Sequence, residues 1–297
     1  MTGLSQPLCT TALTVLVGIP TLLVTSETAS GNETYLLRYR LKAGEQIVTR
    51  VSHQSETQTM IAGVTEGSSA RTSSIKVWEV QSVDEGGNMT FVYRIDRVNI
   101  SQTIDDETVE YNSETEEPAP AVFQQVAESV DKPLATITID PVGDIVHRDR
   151  DFRNPFIGLG EVTIALPREA VAVGARWHIE RDLRLKLDKN RYKMIKVREL
   201  YGLEKVSAGV ATISIMTQPL TPIHDPAIEA QLIQQLSKGT IKFDMDSGRL
   251  LSKRLDWSEK VFGFQGPESS MRYDANWTED LLPSKARIVS KDRIRNN

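Results

Sequence analysis

Residues able to do chemistry are few in this chain. It holds four histidines, His53, His147, His178 and His224, and no two stand at a spacing that would place them on one metal. There is no H-E-x-x-H, no G-x-S-x-G to lift a serine onto a nucleophile elbow, and no phosphate-cradling P-loop. "GLGEVT" (158–163) opens like a dinucleotide loop but lacks the third glycine and a following helix, so it reads as a turn. "DMDSG" (244–248) has the D-x-D-x-G look of a calcium loop. An EF-hand would need an oxygen donor at its fifth position and a glutamate at its twelfth, where Gly248 and Leu255 stand, so a hairpin turn is the better reading. Cys9 is the single cysteine and lies in the N-terminal apolar stretch, which leaves the rest of the chain without disulfides, thiolate nucleophiles or cysteine-held metals. The inventory predicts no catalytic residue, no cofactor and no metal.

Charge is the next candidate. The formal net charge is −5, mildly acidic, which gives no reason to expect nucleic acid. Locally the charge is polarised. Seven acids fall in 105–117, and eight bases fall in 181–198 against Asp182 and Asp188. Arg184, Lys186, Lys189, Arg191, Lys193 and Lys196 are therefore the candidate partner-binding residues. They read either as a solvated surface or as a basic ridge for anionic lipid headgroups or an envelope polymer.

The first thirty residues read as a signal peptide. Residues 13–24 are an uncharged apolar core, short for a membrane span, and "TSETASGN" (25–32) supplies small residues for cleavage near Ala29 or Ser30. No Lys or Arg precedes the core, which keeps an uncleaved anchor open as the alternative. The expectation is an exported protein, periplasmic or extracellular, with no other membrane span.

The elements that would position any site recur in the same order twice, as repeats 31–153 and 154–283, followed by a basic tail, 284–297. A strand entered through a glycine comes first (Gly44; Gly174), and in the second copy Trp177, Ile179, Leu183, Leu185 and Leu187 share one parity with only Arg181 breaking it. A hairpin follows, turning at Gly87 and at Gly209. Then comes a short helix, "APAVFQQVAESV" (119–130) and "DPAIEAQLIQQLSKG" (225–239). In the second, Asp225 is the N-cap, Pro226 the first helical residue and Gly239 the stop, with Ile228, Leu232, Ile233 and Leu236 on one face. A closing hairpin ends each copy, "LATITIDPVGDIVHRDRD" (134–151) and "GTIKFDMDSGRLLSKRLDW" (239–257), turning at Gly143 and Gly248. Extra length in the first half coincides with "IAGVTEGSSARTSS" (61–74) and "TIDDETVEYNSETEEPAP" (103–120), which have loop compositions. "RDFRNPFIGLGE" (150–161) is the joint. The fold class is mainly β (α+β): internally duplicated antiparallel units, each with one short covering helix, joined edge to edge into a curved sheet or half-barrel rather than stacked as separate domains.

The stretch "DPAIEAQLIQQLSKGTIKFDMDSGRLLSKRLDW" followed by "GFQGPESSMRY" resembles an uncharacterised family of exported bacterial proteins, of the kind abundant in planctomycetes. The resemblance implies export and brings no catalytic or binding residues. Two functions are then expected ahead of an enzyme. One is a non-enzymatic envelope protein binding a lipid or other hydrophobic ligand in a concave sheet. The alternative is an interaction protein that docks partners through the basic hairpin and its sheet edges.

Overall fold

Long runs of alternating residues commit the chain to strands, and the turns decide where each strand stops. The computed structural model describes residues 33–115, 118–149, 162–186 and 192–283. The joint 150–161 and the basic tail lie outside the described residues, 162–283 being described except 187–191. The strands are β1 (Thr34–Tyr35), β2 (Gln46–Ile61), β3 (Val64–Val83), β4 (Met89–Ile104), β5 (Glu107–Asn112), β6 (Pro133–Ile139), β7 (Ile145–Arg148), β8 (Val171–Ala172), β9 (Arg176–Lys186), β10 (Tyr192–Ser207), β11 (Val210–Pro219), β12 (Lys238–Asp244), β13 (Arg249–Phe262) and β14 (Ser270–Leu281). Helix α1 (Gln124–Ser129) lies between β5 and β6, and α2 (Pro226–Leu232) between β11 and β12.

Twelve of these strands form one antiparallel sheet in the order β7-β6-β4-β3-β2-β14-β13-β12-β11-β10-β9, with β5 beside the far end of β4. The sheet is continuous across the two halves and is not closed into a barrel. Its seam is β14, which pairs with β13 on one side and with β2 along its whole length on the other. Because neighbours alternate in direction, the turns fall at two ends of the sheet. Gly44, Gly87, Gly143, Gly174, Gly209 and Gly248 all lie at one of them, and all have positive φ.

The two segments expected as loops are hairpins instead. The first is an extension of β2 and β3, paired to the Ile61–Val64 step and turned by Ala62 and Gly63 at φ 49° and 82°. The second contains β5, turned from β4 by Asp105 and Asp106 at φ 49° and 66°. Two successive residues at positive φ suit the twist of a two-residue hairpin. These strands showed no alternation because residues 54–71 are half-buried or exposed on both faces, so nothing there selects a period of two. Gly239 does not stop the second helix. α2 ends at Leu232 with one further tight turn to Gln235, and Gly239 is the second residue of β12, where a Cβ would collide with the Arg254 carbonyl of β13.

One face of the sheet is apolar and both helices lie on it. Val126 from α1 and Phe123 just before it join Val98, Ile100 and Tyr111. Between the helices the face is covered by two extended segments, 36–42 and 162–166, which bury Leu37, Tyr39, Leu41, Ile164 and Leu166 against Phe91, Ile137, Ile213 and Phe243. The two closing turns grip the first of these straps. The Tyr39 N–H donates to the Pro141 carbonyl at 2.8 Å and the Arg40 N–H to the Gly248 carbonyl at 3.0 Å. The two recurring stretches therefore converge on one piece of chain.

Candidate functional site

The described members of the basic set fall on both sides of the β9–β10 hairpin. Lys189 and Arg191 lie outside the described residues. Lys193 pairs with Leu185, on the same side as the core residues Ile195 and Val197. Arg184, Lys186 and Lys196 point to the opposite side, and all three are exposed. There Lys196 meets Glu180 at 3.4 Å, and the Arg184 guanidinium stacks 3.7 Å above the Tyr192 ring. Arg181, the break in the alternating strand, turns towards the core side because a partner waits there. It bonds Glu199 at 2.7 Å, which also accepts the Tyr201 hydroxyl at 2.7 Å.

Strand lengths open a cleft beside this hairpin. β11 stops at Pro219 and β12 starts at Lys238, while β9–β10 run on to the Lys186–Tyr192 pair and β13–β14 to the Phe262–Ser270 pair. α2 fills the resulting gap. The Asp225 carboxylate accepts the Ala227 N–H at 2.9 Å, with Pro226 in the first helical position. Ile228 and Leu232 then pack on Leu185, Ile195 and Val197, while Ala230 and Ile233 pack on Val261 and Tyr273. Outside that packing an open cleft of about 550 Å³ remains, walled by Arg184, Leu185 and Lys186 of β9, exposed Ala227 of α2, and Phe264 and Met271 across from them. Leu185, Phe264 and Met271 give it apolar surface, Gln231, Gln234 and Gln265 line it as well, and Arg184 and Lys186 stand at its rim. Sequence reasoning found the cations and the helix but missed Ala227, Phe264 and Met271, whose convergence depends on unequal strand lengths.

A second cluster, unforeseen in the sequence, is buried at the seam. The Lys76 ammonium of β3 and the Glu279 carboxylate of β14 form an ion pair with both side chains 3% exposed or less. Thr49 donates its hydroxyl to Glu279 at 2.8 Å, and Lys253 stands opposite Glu279 in the β13–β14 ladder. Lys76 lies 5.6 Å from the Trp78 ring centre and Lys253 5.3 Å from that of Trp277. Strap residues Tyr39 and Ile164 close over this cluster, leaving a cavity of about 20 Å³, enough for a single water. Burial pushes the Tyr39 hydroxyl well above its usual range although the Ile164 N–H donates to it at 3.1 Å, and it does the same for Tyr93. Burial also lowers His53, which meets Trp257 edge to face at 6.3 Å. The one signal in sequence was a lysine inside the apolar run "IKVWEV" (75–80).

The "DMDSG" turn spends its carboxylate on itself, since Asp244 accepts the N–H groups of Asp246 at 2.9 Å and Ser247 at 3.1 Å. Among the described residues no three His, Cys, Asp or Glu side chains cluster as a metal site would require. Among them, too, no helix is long and apolar enough to cross a membrane.

No family model matches the chain, and no curated protein matches it. Among solved structures the chain is similar to lipovitellin, in a structure describing its lipid–protein interactions, at TM-score 0.44 and 11% identity over 82% of this chain. This chain spans only 25% of that protein's length. It is also similar to the translocator domain of the autotransporter NalP from Neisseria meningitidis, at TM-score 0.29 and 6% identity over 80% of this chain and 88% of that one. At these scores the likeness carries no functional argument.

Proposed function

We propose that the chain is an exported, non-enzymatic cell-envelope protein that binds a hydrophobic ligand carrying an anionic group, held in the open cleft beside α2. The observation that carries this reading is the cleft. Its volume of about 550 Å³ falls within the roughly 300–1,000 Å³ of small-molecule sites. Leu185, Ala227, Phe264 and Met271 suit an alkyl chain, and Arg184 and Lys186 suit a phosphate or carboxylate at its end. The centre of the apolar face is an unsuitable seat, because the straps fill it. Export rests on the apolar leader, and the likeness to an uncharacterised exported family is part of the same proposal.

The test is purification without detergent, organic extraction and mass spectrometry, run on the wild type and on Ala227→Trp. A stoichiometric anionic amphiphile in the wild type, lost in Ala227→Trp at unchanged melting temperature, supports the proposal. A wild type with nothing bound, and no displacement of a fluorescent fatty acid added to it, overturns it.

A further inference from the structure

The two borders of the sheet carry opposite charge at the same end of the molecule. β9 is the last strand on one side. On the other side the border at the turn end is β7, but at the opposite end it is β5, since β7 pairs only with Ile137, Thr138 and Ile139 of β6 and does not reach β5. An unpaired strand edge presents a row of N–H and C=O groups and is a template for another strand. The exposed cations on β9 towards this end are Arg184 and Lys186. On and around β5 stand Asp105, Asp106, Glu107 and Glu110, all exposed.

Direction and facing also agree. β4 and β9 run the same way in the alternating sheet and β5 runs opposite to β4, so β9 of one copy meets β5 of another as an antiparallel neighbour. In one register Arg184 stands opposite Glu110, Leu185 opposite Val109 and Leu183 opposite Tyr111. Leu185 and Tyr111 both belong to the core-facing side of the sheet, so the apolar faces would run on without a break. Val109 is 39% exposed and gains a neighbour. Both charges are already held in place, Arg184 over the Tyr192 ring and Glu110 by the Ser101 hydroxyl at 3.1 Å.

From this we infer that the protein associates head to tail, β9 of one copy adding to β5 of a second copy with Arg184 paired to Glu110. Such a contact is heterologous, so it builds a ring or an open filament rather than a closed symmetric dimer. It shares Arg184 with the cleft, so Glu110→Arg and Ala227→Trp, each of which touches only one of the two, tell the two readings apart.

The test is sedimentation velocity of the full chain over a range of concentration and salt, with Glu110→Arg, Arg184→Glu and their mixture. Wild type is expected to give a concentration-dependent series that shortens with salt. Each single substitution should weaken association about tenfold, since a favourable cross-strand pair becomes a like-charge one. Mixing the two variants should restore the series in alternating form, because both contacts between unlike copies bring opposite charges together while both contacts between like copies repel. A wild type that stays monomeric to its solubility limit overturns the inference, as does a mixture no more associated than its parts. Both positions are exposed, so unchanged circular dichroism and melting temperature will show that each variant is folded. Glu110→Arg should leave the cleft's ligand in place, and Ala227→Trp should leave the series unchanged.

Discussion

At the scale of single residues, two glycines and one lysine carry more than their sequence context suggests. Gly143 and Gly248 have φ of 88° and 62°, and each also lies against a strap. A Cβ on Gly143 would come 2.5 Å from the Ile164 carbonyl oxygen, and one on Gly248 would collide with the Arg40 backbone nitrogen. Gly44 has a φ of 80° but nothing within 4 Å of its missing Cβ. Gly44→Ala should therefore cost about 1 kcal/mol from backbone strain alone, whereas Gly143→Ala and Gly248→Ala should each cost about 2–4 kcal/mol because backbone must move as well. Urea titrations of the three variants check the contrast, and equal losses would mean the straps are not seated as described. Turn glycines were legible because turn chemistry is local. The ion pair of Lys76 and Glu279 was not, since it joins strands from opposite halves, as does the bond from Thr49 to Glu279, 230 residues apart. Lys76→Met leaves a buried carboxylate short of a partner and should cost about 3 kcal/mol in the same titrations. His53 adds a pH dependence. Burial lowers its folded-state value, so the unfolded chain binds the proton first as pH falls, and stability should decline from neutral pH down through the histidine range. The carboxyls of Asp84, bonded by the Asn88 side chain, and Asp274, bonded by Arg272, lie below the usual range and titrate below about pH 4. His53→Gln should therefore flatten the melting temperature between pH 7 and 5 without altering the acid limb.

At the scale of elements, period two proves to report which side of a segment is buried, rather than membership of a sheet. Leu37, Tyr39 and Leu41 alternate as a strand would, yet the segment they occupy crosses the apolar face, and the Tyr39 and Arg40 N–H groups go to turn carbonyls. A segment with one wet and one dry side acquires that pattern whatever its hydrogen bonds do. The reverse case is the extended hairpin of β2 and β3, which pairs fully yet shows no pattern because both of its sides are wet. α2 was legible from its cap and its leading proline, while its early end was not, because β12 claims the residues after Ser237. Energetics should follow burial. Leu37→Ala in the strap, at 0% exposure, should cost about 2–4 kcal/mol. Asp225→Ala should cost about 1 kcal/mol through loss of the helix cap. Thermal melts of the pair rank strap against cap, and a strap variant as stable as wild type would mean the apolar face does not depend on its cover.

At the scale of the whole molecule, once the two-residue strands β1 and β8 and the added hairpin strand β5 are set aside, the order strand, strand, strand, helix, strand, strand occurs in both halves, and β14 has no counterpart in the first. That additional strand is what makes one sheet of two units. It takes twelve pairings with β2 and eleven with β13, so neither half presents a complete edge without it. Burial runs across the seam as well, since Glu279 and Trp277 on β14 share their surroundings with Lys76 and Trp78 of the first half and with Lys253 and Leu255 of the second. A sheet coupled in this way should unfold as a unit. Three of the four tryptophans, Trp177, Trp257 and Trp277, lie in the second half, whereas far-ultraviolet circular dichroism weights all the strands. Tryptophan fluorescence and circular dichroism should then give coincident urea transitions, because a first half that melted separately would move the second signal more than the first, which it reaches only through Trp78. Asn276→Pro isolates the cause. Asn276 pairs with Asp256 on one side and Gln54 on the other, and proline there removes a ladder hydrogen bond and strains an interior strand, at a cost of about 3 kcal/mol or more. If the seam couples the halves, the two transitions should separate in this variant while remaining joined in Asp225→Ala, which is destabilised elsewhere. Transitions that move together in both variants would place the coupling in the straps, which also touch both halves, rather than in β14.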